Sequence, residues 1–413
     1  MPTKCLTNME NEKSRSAWAA MKYSIIIPVY NRPDEVDELL ESLTRQTVKD
    51  FEVVVVEDGS TVPCKEVVEK YRAVDSSQFT VDSSHADEEK LSTLNSPLST
   101  LNSQLSTLNS QLPTIQYLTK KNGGPGPARN YGVEHSKGEY VIILDSDCVL
   151  PEGYLAAIEK ELAENPCDAF GGPDAAHESF SSVQKAISYS MTSFFTTGGI
   201  RGGKKKGAMD KFYPRSFNMG MRREVYLKLH GFSKMRFGED IDFSYRIVEA
   251  GYTSRLFPEA WVWHKRRTDM DKFFKQVFNS GIARINLTKR HPGTLKLVHL
   301  LPMVFTLGVL LLIAGAVFFR LWDYYNQTAT GLLLPNGGFI PAYALCLLPI
   351  ALYMLLIFVD SSIKNKSVVI GFLSVEAAFV QLMGYGFGFL KAWWLRCVQG
   401  KDEFTAFEKN FYD

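Results

Sequence analysis

Asp145-Ser146-Asp147 places two carboxylates two residues apart, directly after the apolar run Tyr140–Leu144. Carboxylates so spaced on a turn can share a hard divalent cation, Mg2+ or Mn2+, and present it to phosphate oxygens. The same triplet also serves as an ordinary turn or cap, so its place after a buried strand is what gives it weight. A second acidic end, Glu57-Asp58-Gly59-Ser60, follows the β-branched run Phe51–Val56. A carboxylate there can accept from a ribose hydroxyl or a base N–H, and Gly59 lets the backbone turn sharply beside a ligand. A strand-to-helix turn capped by Asp58 is the alternative.

Asn122-Gly123-Gly124-Pro125-Gly126-Pro127-Ala128-Arg129-Asn130 is a glycine-rich opening of a helix. It contains neither the phosphate loop of ATPases nor the dinucleotide fingerprint of dehydrogenases, so neither chemistry follows. Arg129 within it can face phosphate, the acidic pair or solvent. Gly238-Glu239-Asp240-Ile241-Asp242 opens another helix. Its carboxylates either cap the helix through the macrodipole or supply a general base for an attacking hydroxyl. Lys204-Lys205-Lys206, in a glycine-rich stretch over 198–207, reads as a solvated loop or as a lid touching diphosphate or anionic lipid.

The elements that must position these groups follow from the hydrophobic pattern. Apolar runs at 24–30, 51–56, 114–118 and 140–144 alternate with amphipathic helices at 34–46 and 125–136. This predicts an α/β fold, a mainly parallel sheet covered by helices on both faces. Ligands bind such sheets outside the carboxyl ends of the strands, where both acidic clusters fall. Residues 91–111 hold three copies of a seven-residue unit, LSTLNSP or LSTLNSQ. Its polar composition predicts a disordered insertion over 76–113, with a short oligomerisation helix as the other reading. Residues 1–20 read as a dispensable extension before Met21.

The 413 residues carry 46 Lys plus Arg against 45 Asp plus Glu, a net charge of +1, which argues against a nucleic-acid binder. Six cysteines without a CxxC pattern argue against a zinc site or disulfide framework and for a reducing compartment. Apolar residues concentrate late in the chain. Stretches at about 300–319 and 339–359 have the length and composition of membrane spans. A third, 368–390, contains Glu376 and Gln381 and is followed by Trp393-Trp394, whose side chains suit a membrane interface. Lys289, Arg290 and Lys296 before the first stretch, with Lys364 and Lys366 after the second, orient residues 1–298 to the cytoplasm. A third crossing would carry Lys391, Arg396 and Lys401 outside, against the positive-inside rule. The third stretch is therefore left open as a span, a re-entrant or an interfacial segment.

Taken together, Ile27-Pro28-Val29-Tyr30-Asn31-Arg32, Glu57-Asp58-Gly59-Ser60, the 122–130 segment, Asp145-Ser146-Asp147 and Gly238-Glu239-Asp240 resemble the family 2 glycosyltransferases over about residues 23–290. The resemblance implies a GT-A nucleotide-diphospho-sugar transferase fold and sugar transfer with inversion, assisted by a divalent cation. It implies that Pro28, Tyr30, Glu57, Asp58, Arg129, Asp145 and Ser146 bind the nucleotide sugar and that Asp147 binds the metal. His264, ending Trp261-Val262-Trp263-His264, is implied as a further metal ligand, or else ends an aromatic-rich strand. Asp240 is implied as the catalytic base, with Glu239 the competing choice, and Phe217-Asn218-Met219-Gly220 would border donor sugar and acceptor. The Gln-x-x-Arg-Trp signature of the processive synthases is incomplete at Gln276-Val277-Phe278-Asn279-Ser280, which favours transfer of single sugars. Gln276 and Arg284 then lie toward acceptor or membrane.

The expected organisation is an extension (1–20), a GT-A domain (21–290), a membrane region (291–400) and a tail (401–413). The expected enzyme is a multi-pass protein of the cell inner membrane with its catalytic domain cytoplasmic. It takes a nucleotide-sugar donor and a lipid-linked or saccharide acceptor, in cell-envelope polysaccharide or glycolipid assembly. A polyprenyl-phosphate glycosyl synthase and a catalytically inactive membrane scaffold are the competing functions.

Overall fold

The computed structural model describes residues 21–72, 112, 114–175, 179–198, 212–335 and 338–404. The N-terminal extension, the seven-residue repeats at 91–111, the Lys204–Lys206 stretch and most of the 401–413 tail lie outside the described residues. Its elements begin β1 (Tyr23–Val29), α1 (Pro33–Thr44), β2 (Phe51–Asp58), α2 (Lys65–Tyr71), β3 (Ile115–Lys120), α3 (Pro125–Glu134), β4 (Tyr140–Leu144), β5 (Cys148–Val149) and α4 (Tyr154–Glu164). There follow β6 (Ala169–Gly171), β7 (Asp174–Ala175), α5 (Ser182–Thr192), α6 (Phe194–Thr197), β8 (Asn218–Arg222), α7 (Arg223–Lys228), α8 (Glu239–Glu249), β9 (Ser254–Leu256) and β10 (Val262–His264). The last are α9 (Met270–Arg290), α10 (Leu301–Asn326), β11 (Gly331–Leu333), β12 (Phe339–Pro341), α11 (Ala342–Asn365) and α12 (Val368–Trp393). The chain divides into two units, one of residues 1–174, 208–234 and 243–263, the other of 175–207, 235–242 and 264–413.

The first unit is built on a seven-stranded sheet in the order β3-β2-β1-β4-β8-β6-β9. β1 pairs in parallel with β2 and β4, β2 with β3, and β6 with β9; β8 alone runs against its neighbours. The apolar runs are continuous rather than alternating because both faces are covered. Ile25, Ile27, Val53, Val55 and Ile142 pack under α1 and α4, through Leu39, Leu40, Leu43, Tyr154 and Ile158. On the other face Ile26, Val54, Val56 and Ile143 meet Ala128 and Val133 of α3 and Phe243 of α8. A buried charge at Glu52 is satisfied by the Ser24 hydroxyl at 2.6 Å and the Gln116 amide at 3.0 Å, as burial of a carboxylate requires. Between β2 and β3 the backbone bridges Arg72 to Leu112, whose N–H donates to the Tyr71 carbonyl at 3.1 Å.

The second unit is helical. α10, α11 and α12 (with its continuation to Val398) are each long and apolar enough to cross a membrane. The first two match the expected stretches, except that 339–341 form β12, paired antiparallel with β11. α9 runs along α12 at a separation only small residues allow. A Cβ on Gly281 would stand 2.2 Å from the Tyr385 carbonyl, and one on Gly388 would stand 2.0 Å from the Phe278 carbonyl. Between α9 and α10, the His299 Nδ1 accepts the Lys296 N–H at 3.1 Å. Burial, then the charges of Arg284 and Lys296, push that imidazole down to about 4.

Candidate functional site

The sheet of the first unit reverses its strand order between β1 and β4, with β2 and β3 on one side and β4 and β8 on the other. At such a switch point the loops leaving two adjacent parallel strands diverge and open a crevice for a ligand. The side chains at this crevice carry charge. Arg32, just past β1, donates from Nη1 to Asp147 Oδ2 at 3.2 Å, across the gap to the loop after β4. Arg129, buried on α3, donates from Nη2 to Asp145 Oδ1 at 2.8 Å and to the Ser216 hydroxyl at 3.0 Å. Its guanidinium also lies over the Phe232 ring, 5.1 Å from the centroid. Arg129 thus faces the acidic pair. Ser146, between the two aspartates, is buried, and Pro28 and Tyr30 at the end of β1 are half-buried.

The β2 edge is organised by two carboxylates whose partners are local. Glu57 accepts from the Ser60 hydroxyl, from the Cys64 N–H at 2.8 Å and from the Tyr117 hydroxyl at 3.0 Å. Asp58 accepts the Gly123 and Gly124 N–H groups at 3.0 and 2.8 Å and pairs with Lys120. Hydrogen bonds to an ionised group contribute roughly 1.5–3 kcal/mol each, so Asp58 fastens the glycine-rich segment to the strand. Gly59 adopts φ +75°, and a Cβ there would lie 2.7 Å from the Asn122 nitrogen. Asn31, at φ 54°, ties the loops after β1 and β2 together. Its N–H donates to Ser60 Oγ at 2.8 Å, and its Oδ1 accepts from the Thr61 and Val62 N–H groups at 2.8 and 2.9 Å.

Asn31, Arg32, Lys120 and Ser216 are the contributors to which motif reasoning assigned no role. The first two stand inside the quoted motif after β1. Ser216 carries no local signal, since its partner lies far away in sequence. Asn218 is buried, with its amide held between the Tyr154 hydroxyl at 2.7 Å and the Ala260 carbonyl at 2.8 Å. It therefore braces the sheet beside the crevice.

In the second unit, Glu239, Asp240 and Asp242 occupy the first turn of α8, all three buried. The Asp240 Oδ1 accepts the Ile241 N–H at 2.9 Å. Asp242 meets His291 Nε2 at 3.1 Å and Arg290 at 3.5 Å. Gln276 and Arg284 lie on α9 and are half-buried, and His264 closes β10.

The donor chemistry at the end of β4 fits a hard divalent cation. Asp147 offers carboxylate oxygen from an irregular turn at the mouth of the crevice, the ligand type Mg2+ and Mn2+ select. The neighbouring Cys148 is fully buried, and burial, followed by the charges of Asp147 and Asp145, raises its thiol well above the usual range.

The chain is similar in sequence and fold to known proteins. A profile of glycosyl transferase family 2 matches residues 24–99 and 95–229. An uncharacterized glycosyltransferase of Rickettsia bellii is 31% identical over 157 residues, 38% of this chain and 17% of that protein. The poly(ribitol-phosphate) beta-N-acetylglucosaminyltransferase TarS of Staphylococcus aureus is 33% identical over 129 residues, 31% of this chain and 16% of that protein. The chain thus spans less than a quarter of the length of each of these two curated relatives. Among solved structures, the mannosyltransferase PcManGT from Pyrobaculum calidifontis, in complex with GDP-Man and Mn2+, matches with a TM-score of 0.53. At 15% identity over 94% of each chain, that is a likeness of fold. With the switch-point crevice, the paired aspartates and the family profile in agreement, the chain belongs to family 2 of the glycosyltransferases and carries the GT-A fold.

Proposed function

We propose that this protein transfers a single sugar, with inversion, from a nucleotide-diphosphate donor to a hydroxyl of a lipid-linked or membrane-proximal acceptor. The observation that carries the reading is the β1/β4 crevice, where Asp145 and Asp147 each hold an arginine at the carboxyl edge of the sheet. The names of the relatives support the transferase class, and the nucleotide-sugar complex of PcManGT supports the donor class. The organisation behind the reading is a GT-A domain over 21–290 and a membrane region over 291–400, with the catalytic domain in the cytoplasm and the spans in the cell inner membrane.

In this reading Pro28, Tyr30 and Asp58 line the nucleoside pocket, Glu57 braces it, and Asp145 and Ser146 lie by ribose and diphosphate. A divalent cation on Asp147 and His264 would offset the negative charge growing on the leaving diphosphate, a Lewis-acid contribution of several kcal/mol. Arg32 and Arg129 are cations already at the crevice. When a diphosphate arrives, their guanidinium groups can pass from carboxylate to phosphate oxygen, since both anions accept the same planar donors. Asp240 takes the proton of the acceptor hydroxyl, with Glu239 the competing choice of base. Direct displacement then needs no covalent sugar–enzyme intermediate. Gln276 and Arg284 face acceptor or membrane.

The test is a donor panel with purified, detergent-solubilised protein and Mn2+, read by thermal shift and by release of nucleoside diphosphate. Donor binding raises the melting temperature by mass action, and Asp240→Asn keeps that shift while losing transfer to a hydroxyl. Transfer by Asp240→Asn at the wild-type rate removes the base assignment. Neither binding nor turnover with any donor would leave the scaffold reading in place of the enzyme.

A further inference from the structure

Three helices of the second unit are apolar enough to cross a membrane, but their mutual contacts give the last one a different path. α10 and α11 form an antiparallel pair. Phe305 packs on Tyr353 with ring centroids 5.2 Å apart, and the Arg320 guanidinium lies 5.7 Å from the Tyr343 ring. A Cβ on Gly315 would stand 3.3 Å from Cys346 Sγ. The first turn of α10 and the last turn of α11 therefore lie at the same end of the pair.

Both ends of α12 are found at that end. Its start runs beside the last turns of α11, with Ser374 Oγ 2.7 Å from Ser361 Oγ and the Phe372 ring tilted against Phe358, centroids 4.5 Å apart. Its finish runs against the first turns of α10. A Cβ on Gly386 would be 2.7 Å from the Pro302 carbonyl, and Phe389 packs with Leu300 and Met303. Beyond it the chain meets the end of α9, the segment that leads into α10. Lys289 Nζ donates to the Arg396 carbonyl at 2.7 Å, Arg290 Nε to Glu403 at 2.9 Å, and Asn286 Nδ2 to the Phe404 carbonyl at 3.2 Å. A helix of 26 residues is about 39 Å long, enough to span the roughly 30 Å core. Yet this one begins and finishes on one side.

We infer that α12 does not cross the membrane. It lies obliquely in the boundary between head groups and acyl chains, so that the chain crosses only twice, through α10 and α11. The inference rests on reading those two helices as spans and is independent of the chemistry proposed above. Four further observations fit it. Of the apolar stretch of α12, 44% is buried within the protein, against 17% and 11% for those of α10 and α11. Trp393 and Trp394 stand about half exposed at its end, the position interfacial aromatics favour. Lys391, Arg396 and Lys401 come to the side that already holds Lys289 and Arg290, which restores the positive-inside balance that a third crossing breaks. Gln381, polar inside an apolar stretch, accepts from the Ser190 hydroxyl at 3.1 Å.

The native thiol of Cys397, exposed just past α12, gives a direct test in full-length protein. Cys5 and Cys346 are replaced by Ser throughout, and single probes are compared in intact and lysed cells with a membrane-impermeant maleimide. The probes are Cys397 itself, Ala163→Cys on the exposed side of α4 and Leu333→Cys in the exposed β11 strand, the latter two with Cys397→Ser. The expected result is that Cys397 labels under the same condition as Ala163→Cys and the opposite condition to Leu333→Cys. Labelling of Cys397 together with Leu333→Cys overturns the inference, and so does labelling of all three under one condition. Green fluorescent protein fused at either terminus supplies a second readout that needs no cysteine. The two fusions should fluoresce alike, and one bright with one dark overturns the inference.

Discussion

The carboxyl edge of the sheet and the α9–α12 helix pair are both closely built, but by opposite means. At the sheet edge, side chains define the structure: Asn31, Glu57, Asp58 and Arg129 reach between loops with directed, charge-assisted hydrogen bonds. In the helix pair the absence of a side chain does so, because Gly281 and Gly388 let one backbone touch the other. Directed polar contacts leave room for a ligand to exchange with them. A backbone contact leaves none. Substitutions should therefore separate activity from stability at the first region and abolish both at the second.

The sharpest break in this contrast is Gly388→Leu. Its side chain would collide with the Phe278 carbonyl, the helices would part, and a loss of more than about 4 kcal/mol is expected. Size-exclusion chromatography in detergent should show aggregate in place of a single peak. Recovery of a wild-type elution profile and melting temperature would refute the close-packing account. Asp147→Ala should do the reverse. Its partly exposed ion pair with Arg32 is worth about 1 kcal/mol or less, so melting hardly moves. Turnover nonetheless falls by roughly a thousandfold, about 4 kcal/mol in the barrier. A variant that unfolds instead would make Asp147 a structural residue.

Asn31→Ala removes the three bonds that Oδ1 accepts, from the Thr61 N–H and hydroxyl and the Val62 N–H, and leaves an Ala at positive φ, so about 1–2 kcal/mol of stability and some donor affinity should go. Asn31→Gly relieves the backbone and should recover about a third to a half of that loss. Equal melting of Asn31→Ala and Asn31→Gly would show that the hydrogen bonds alone carry the effect. The smallest expected effect lies in the helical unit. His299 is held neutral when folded, down to about 4 against an ordinary 6.5. The unfolded chain therefore binds the proton first. The stability it contributes is complete above pH 6.5 and declines as pH falls toward 4. His299→Asn should flatten that slope in a pH series of melting curves, and an unchanged slope would locate the titration elsewhere.

Much of the sheet edge was legible in the sequence. β1, β2 and β4 are built on the aliphatic runs Ile25–Ile27, Val53–Val56 and Val141–Leu144, and each is followed by the residues expected at a ligand edge. The acidic opening of α8 announced itself in the same way. The partners were not legible. That Arg32 would meet Asp147 depends on which strands are neighbours, and Ser216 reaches Arg129 from 87 positions away. The local partners of Glu57, which accepts from Ser60, Cys64 and Tyr117, were no more legible. Hydropathy found the three apolar helices, but it weighs residues and not their neighbours. It therefore left the path of 368–390 open, where Gly384, Gly386 and Gly388 settle the packing.

The bridge from Arg72 to Leu112 brings the two ends of a long segment within one hydrogen bond of each other. Whatever number of residues lies between them, β2 and β3 receive the chain at the same two points. The closure entropy of a flexible loop rises by only about 0.6 kcal/mol for each doubling of its length. The strand junction thus holds both ends of the segment at fixed points, whatever the number of seven-residue copies the gene places between them.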